Sequence, residues 1–472
     1  MNIGQSTIKL FVSRVGSSLL FFGGITIFAR QLPAEELGVF FLYLAIVGIL
    51  TILADLGIRG ALEKRLSEGD NTSQLLGSAL AFKLVTVAVL VVAVFIAGPY
   101  IDAYVGATVA PFLAIGIIAT EFAELYVHVV RGELRVGQTA PIQFARRVVW
   151  VAVGILLVSR GFGVHGIVVG LICGRLVEGS LAFWRCDTTV DWPSVRALHS
   201  LITFSKYQTV IAVGGRFYQW MDVLVIGFFL SNLYVSAYEI AWQVTLLVLL
   251  VSKSLELNLF PVISRWDAQA ATEQIGDVVT IAFGYTMFVS MPAIVGAAIY
   301  AREILTFVFQ PAYTVAALVL VILMIEKAFQ STNDIVSAGL RGIDKPHLVA
   351  RVIIISVTLN LVVSPILVVT IGITGAAIAT MTAWIVNLVL QYRYLSQFVD
   401  VEIPFQLLGW YTACSIFMGA FLLAFEQSLQ VVGIATLMVH VGLGAVVYVG
   451  LLSLVPTVRH RIIVPGLQAI SL

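Results

Sequence analysis

The chain reads as an all-α polytopic membrane protein of about 14 transmembrane helices: two six-helix bundles related by a parallel repeat, then two further helices. Three observations predict this. Of 472 residues, 60% are hydrophobic and 11% charged, with a mean hydropathy of +1.02, whereas a soluble globule carries about 25% charged residues. Apolar runs recur along the whole length, each of about 20 residues and able to cross roughly 30 Å of hydrocarbon as a helix. The alternating segments of about 10 residues that build a membrane barrel do not occur. Finally, the chain repeats itself. LPAEELGVF (32–40) is answered by LSNLYVSAY (230–238), VRG (130–132) by LRG (340–342), and GVHG (163–166) by GITG (372–375). The offsets are 198, 210 and 209 residues.

Taken in order, the apolar runs place spans at about 8–29, 37–57, 76–98, 108–130, 141–160, 164–184 and 204–229. Seven more follow at about 235–257, 276–299, 311–335, 350–371, 373–393, 406–425 and 430–454. The first follows MNIGQSTIKL without a small-residue cleavage site, so it reads as a span and not as a removed signal peptide. The fifth is the most polar, with Arg146 and Arg147 at its cytosolic end. The longest connection, at about 185–203, is too short to bury a core of its own.

Basic residues set the orientation. With the N-terminus in the cytosol, Arg59, Lys64, Arg65, Arg131, Arg185, Arg341 and most others fall inside, and only Arg30, Arg160 and Arg302 lie outside. By the positive-inside rule both termini are expected in the cytosol, in a multi-pass protein of the cytoplasmic membrane. An even repeat unit of six spans inserts both copies in the same sense, which makes the pseudo-symmetry axis run along the membrane normal, as in parallel-repeat transporters. The expected lobes are 1–198 and 199–400, with 401–472 supplying two extra helices and a tail.

The residues argue against several function classes. No G-x-x-x-x-G-K-[ST] loop offers direct ATP drive. Neither H-E-x-x-H nor a His/Cys cluster suggests a metal, and no catalytic residue or cofactor is expected. Cys173, Cys186 and Cys414 lack metal-ligand spacing and read as packing residues. A net charge of +1 gives no electrostatic case for nucleic acid.

Further sequence features carry a family resemblance. ARQLPAEELGVFF (29–41), LADLGIRGALEKRLSEG (53–69) and DVLVIGFFLSNLYVSAYEIA (222–241) resemble polysaccharide-transport proteins. Those proteins form part of the multidrug/oligosaccharidyl-lipid/polysaccharide flippase superfamily. The resemblance spans nearly the whole chain in the family's order, and its specificity lies in the ordered set of motifs. It implies a flippase for polyprenyl- or dolichyl-phosphate-linked sugars, serving protein glycosylation in archaea and O-antigen, capsule or related polymers in bacteria. It also implies two bundles that open a central cavity alternately to either side, membrane lipids as surroundings, and glycosyltransferases of the same pathway as partners.

A sugar phosphate needs a polar groove through the membrane, because taking a charge out of water costs several kcal/mol. Ionisable residues within spans are therefore the candidates. In span 7, Thr209, Arg216 and Gln219 fall within about 80° on one face, and Arg216 offers a planar donor fork suited to phosphate. Asp222 points elsewhere. Lys9 shares a face of span 1 with Ser13 and Ser17, with Arg14 adjacent. Lys83 in span 3 is either a ligand or a snorkelling cation. Arg175 and Glu178 form an i,i+3 pair that can neutralise itself.

The acids are read through the repeat. Glu124 precedes Arg131-Gly132 by seven residues, and Asp334 precedes Arg341-Gly342 by the same seven. Glu121 and His128 share a face with Glu124, while Glu326, Lys327, Gln330, Ser331 and Asn333 accompany Asp334. Glu121, Glu124, Lys327 and Asp334 are therefore expected to gate the path by clamping cations of the opposite lobe when one side closes, or to couple transport to an ion, the remaining reading being polar helix packing. The charge count does not itself predict an anionic cargo. Within spans, Arg14, Lys83, Arg175, Arg216 and Lys327 face a larger number of acids.

Two alternatives remain open at this point. One is a Na⁺- or H⁺-coupled drug or metabolite antiporter of the same superfamily. The other is a scaffold that binds lipid-linked glycan without moving it.

Overall fold

The computed structural model describes residues 3–69 and 71–459, with side chains throughout except at 3–15, 206–215, 217 and 257. Among these residues the secondary structure is helical, with no strand. The principal helices are α1 (Ile3–Gln31), α2 (Ala34–Asp55), α3 (Ile58–Glu68), α4 (Thr72–Val105), α5 (Ala110–Gly132), α6 (Thr139–Ser159), α7 (Gly163–Arg185) and α8 (Val195–Phe229). They continue as α9 (Asn232–Thr245), α10 (Leu249–Ala268), α11 (Thr272–Glu303), α12 (Ala317–Gly342), α13 (Pro346–Ile371), α14 (Ile373–Leu395), α15 (Phe405–Glu426) and α16 (Ile434–Ser453).

Twelve helical stretches among the described residues are long and apolar enough to cross a membrane, and each coincides with an expected span. The other two expected spans fall on α1 and α8, which carry most of the undescribed side chains. The all-helical, multi-span class is therefore as the sequence predicts, with twelve of the fourteen expected spans found among the described residues.

The chain divides into two compact units, Met1–Ser236 and Ala237–Leu472. In the first, α6 and α7 approach backbone to backbone along Gly166, Gly170 and Gly174 of α7. A Cβ on Gly170 would lie 2.8 Å from the Trp150 carbonyl oxygen, and one on Gly174 would lie 2.7 Å from that of Arg146. Small residues at such a seam gain dispersion contact, which is what holds helices together once water is gone. Gly132, ending α5, lets Leu66 of α3 approach to 2.7 Å of where its Cβ would be.

The second unit solves the same packing problems at the matching positions. Gly342, ending α12, receives Ile263 of α10 at 2.5 Å, and Gly375 of α14 receives the Leu367 backbone of α13. The likeness extends to the segments that follow α7 and α14. After α7 the chain crosses α4 so closely that a Cβ on Gly77 would collide with the Asp191 carbonyl. After α14 it crosses α11 over Gly276, whose Cβ would collide with the Asp400 carbonyl. These crossing segments are pinned by Ser78 to the Ser194 backbone (2.9 Å) and by Thr280 Oγ1 to the Glu402 carbonyl (3.1 Å).

All three cysteines are free thiols. At Cys186, just beyond α7, burial and then the Glu133 carboxylate push the thiol up to about 11. It therefore stays protonated near neutral pH.

Candidate functional site

The polar heart of the first unit is built on a break in the chain. Helix α2 stops at Asp55 because Leu56 and Gly57 both take positive φ (44° and 78°), and α3 starts at once from Ile58. Glycine reaches that region without a Cβ penalty. The break turns Asp55 and Arg59 towards one another: Asp55 Oδ1 accepts from the Arg59 backbone N–H at 3.2 Å and pairs with Nε at 2.8 Å.

Neighbouring helices add to this pair. Lys83 of α4 donates to Asp55 Oδ1 (2.5 Å), to the Ala54 carbonyl (3.4 Å) and to Glu121 of α5. Its ammonium is buried and does not snorkel to an interface. Arg59 also approaches Glu121 and Glu124, each at 3.9 Å. Arg175 of α7 bridges Glu124 (2.8 Å) and Glu178 (2.7 Å), so the expected i,i+3 pair forms but is one link in a longer chain. Arg146 of α6 reaches Glu178 at 3.4 Å. One turn from the end of α5, His128 Nδ1 meets Glu63 of α3 at 2.6 Å.

Two cations in this assembly have no acceptor among the described residues. Arg216, half-buried on α8, makes no ion pair or hydrogen bond among the described residues, although the charges of Arg59, Glu124, Arg175 and Glu121 act on it. Gln219, one turn on, is exposed. Arg147 likewise pairs with no carboxylate among the described residues. Its guanidinium lies over Phe21 (4.4 Å to the ring centroid) with Trp150 5.8 Å away. The cluster thus gathers Arg59, Lys83, Arg146, Arg147, Arg175 and Arg216 against Asp55, Glu121, Glu124 and Glu178. Lys9, Arg14 and Thr209 lie outside the described side chains.

In the second unit the charges balance. Asp334 of α12 binds Lys253 (2.8 Å) and accepts from Ser252 Oγ (3.0 Å), both on α10. Glu256 joins Lys253 (3.0 Å) to Arg341 (2.6 Å) of the repeated Arg-Gly pair. Fully buried Glu326 and Lys327 pair at 2.7 Å. The Lys327 ammonium also sits 3.3 Å from the Trp242 ring centroid and donates to Gln330 (2.8 Å). The cations that meet Glu124 and Asp334 each come from the acid's own unit.

Sequence reasoning placed Arg59, Arg146 and Arg147 at the cytosolic interface and thereby left them out of the cluster. The signal for Arg59 was available in its four-residue spacing from Asp55 across Gly57. Glu256 was missed as well. Its spacing from Lys253 was readable, but its bond to Arg341 spans 85 residues.

Duplicated helical bundles with ion pairs buried inside a membrane span define a polytopic membrane protein of transporter type. The comparisons agree at the level of fold. The chain superposes on the structure of the lipid II flippase MurJ in an inward closed conformation with a TM-score of 0.81, covering 95% of this chain and 98% of that one at 14% identity. It also superposes on an inward-facing multidrug resistance MATE family transporter of the MOP superfamily (TM-score 0.65, 81% and 95% covered, 17% identity). Residues 27–318 match the family model described as polysaccharide biosynthesis protein. The chain belongs to that family, as the resemblance implied. It is 38% identical over 98% of both chains to the Haloferax volcanii protein named "Probable low-salt glycan biosynthesis flippase Agl15". A second protein of that organism, "Probable flippase AglR", is 26% identical over 82% of each.

Proposed function

We propose that this protein is a flippase that carries a polyprenyl- or dolichyl-phosphate-linked sugar or oligosaccharide across the cytoplasmic membrane by alternating access. Its termini are cytosolic, and glycosyltransferases of a glycan or glycoprotein assembly pathway supply its cargo. The observation that carries this reading is Arg216, a half-buried guanidinium without an acceptor among the described residues, in a cluster where named cations outnumber carboxylates. An unpaired charge held away from water costs several kcal/mol, and charges persist inside membranes where they serve function. A phosphate oxyanion is the missing partner, and the planar guanidinium fork matches it bidentately.

The other residues take supporting roles. Lys83 and Glu121 brace the cluster around Asp55, each already engaged by opposite charge. Glu124 and Asp334 hold cations of their own lobes, Arg175 and Lys253, which favours a bracing role within each lobe over ion coupling and gives no support to a clamp across the lobes. Lys327, pinned by Glu326 and Trp242, serves the gate of the second lobe. The names of the Haloferax volcanii relatives support the same class of cargo.

Reconstitution into vesicles with a labelled lipid-phosphosugar tests the proposal. The label is expected to cross without ATP, and Arg216→Glu is expected to abolish crossing while the variant still expresses and inserts. Arg216→Lys, which keeps the charge and loses the fork, is expected to retain about a tenth of the rate. Undiminished crossing in Arg216→Glu would remove Arg216 from the path. Cation-dependent drug efflux would point to the antiporter, and binding without movement to the scaffold.

A further inference from the structure

The mechanism above leaves Arg147 without a task. It sits about 12 Å along α6 from the start of that helix, counting 1.5 Å per residue from Thr139. Its Nε is buried without a hydrogen-bond partner among the described residues. The face of its guanidinium is covered by Phe21 of α1, which itself stacks on Trp150 with ring centroids 5.1 Å apart. An arginine held flat by aromatic faces keeps its N–H donors directed outward in the guanidinium plane. Stacking recovers about 1 kcal/mol or a little more but leaves the buried Nε donor unsatisfied among the described residues, and buried donors are satisfied in the great majority of cases. The seam around it is apolar and open. Leu19 of α1 is exposed, as are Phe144 and Val148 of α6, with Phe144 lying against Gly16.

We infer that Arg147 is a second phosphate-binding position, on the α1–α6 seam, taking the phosphate of a lipid whose hydrocarbon lies along Leu19, Phe144 and Val148. Stacked in place, the guanidinium pays little ordering entropy to bind an oxyanion in its plane. The exposed apolar side chains beside it suit an amphiphile and offer nothing to free phosphate. Arg146 and Arg175 act electrostatically on Arg147, and Arg175 acts on Arg216 in turn. A headgroup released from Arg147 would thus meet the cations of the cluster next. This inference deepens the flippase reading and rests on it for the direction of travel. The binding itself does not depend on that reading.

The test uses the full-length protein in nanodiscs, with three probes: a fluorescent polyprenyl phosphate, the matching uncharged polyprenol, and inorganic phosphate. Arg147→Gln is expected to weaken polyprenyl phosphate binding by roughly tenfold, the loss of charge-assisted hydrogen bonds, and to leave polyprenol binding unchanged. Phe21→Leu, which removes the stack and keeps the charge, is expected to weaken binding by about threefold and serves if Arg147→Gln fails to fold. In an Arg216→Gln background, which lacks the other phosphate position, Arg147→Gln is expected to weaken the remaining binding by the same roughly tenfold factor, because distant sites act independently. Wild-type affinity for polyprenyl phosphate in both folded variants would overturn the inference, as would inorganic phosphate binding as tightly as the lipid. The flippase reading fails separately. If wild-type protein binds polyprenyl phosphate through Arg147 yet moves no labelled lipid-phosphosugar, the site stands and the transport reading falls.

Discussion

Lys83 shows how much a single charge can hold in place. Its ammonium is buried against Asp55 and Glu121, so Lys83→Met would leave Asp55 with Arg59 as its remaining cation and Glu121 with only the distant Arg59 guanidinium at 3.9 Å. Breaking one partner of such a group costs about 3–5 kcal/mol, and the variant is expected to lose that stability in denaturant titrations in detergent. Adding Glu121→Gln to Lys83→Met should recover part of the loss. A single variant as stable as wild type would contradict the account of the cluster as a brace. The sequence exposed Lys83, Glu121, Glu124 and Arg175 as ionisable residues in apolar spans. Their partners were not readable, because Lys83 meets Asp55 across 28 residues and Arg175 meets Glu124 across 51. Such pairings follow from which helix faces meet, and helical periodicity alone does not specify that. Arg59, Arg146 and Arg147 were misjudged for a related reason. Position near a span end predicts an interfacial cation, and only packing reveals that the side chain turns inward.

At the scale of elements, the glycines do the positioning. Gly77 on α4 and Gly276 on α11 are crossed by the segments that follow α7 and α14, each at a carbonyl oxygen. A methyl group fits at neither position without moving backbone, which is costly because packed interiors absorb volume poorly. Gly77→Ala and Gly276→Ala are each expected to lower the thermal stability of the solubilised protein by about 1–3 kcal/mol. Gly296→Ala, with no atom within 4 Å of its Cβ, is expected to be silent. Equal behaviour of all three would sink the packing argument. Helix positions themselves were legible, since apolar length fixes a span directly. The crossings were not, since both glycines look like ordinary helix glycines in the sequence.

At the scale of the molecule, the duplicated motifs carry the account. The Arg-Gly pairs at 131–132 and 341–342 end matching helices that pack on α3 and α10 through the same glycine contact. Two copies inserted in one sense must present the turns after these pairs to the same side of the membrane. Single cysteines placed at Leu134 and Asp344, in a background without native cysteines, are expected to react with an impermeant maleimide from the cytosolic side. Labelling of one from each side would show opposed copies and end the parallel-repeat account. The most direct test of the central claim remains transport of the anionic headgroup. In ATP-free vesicles, wild-type protein should carry a labelled lipid-phosphosugar across the bilayer and Arg216→Glu should not. Equal crossing by both proteins, or by neither, would contradict it.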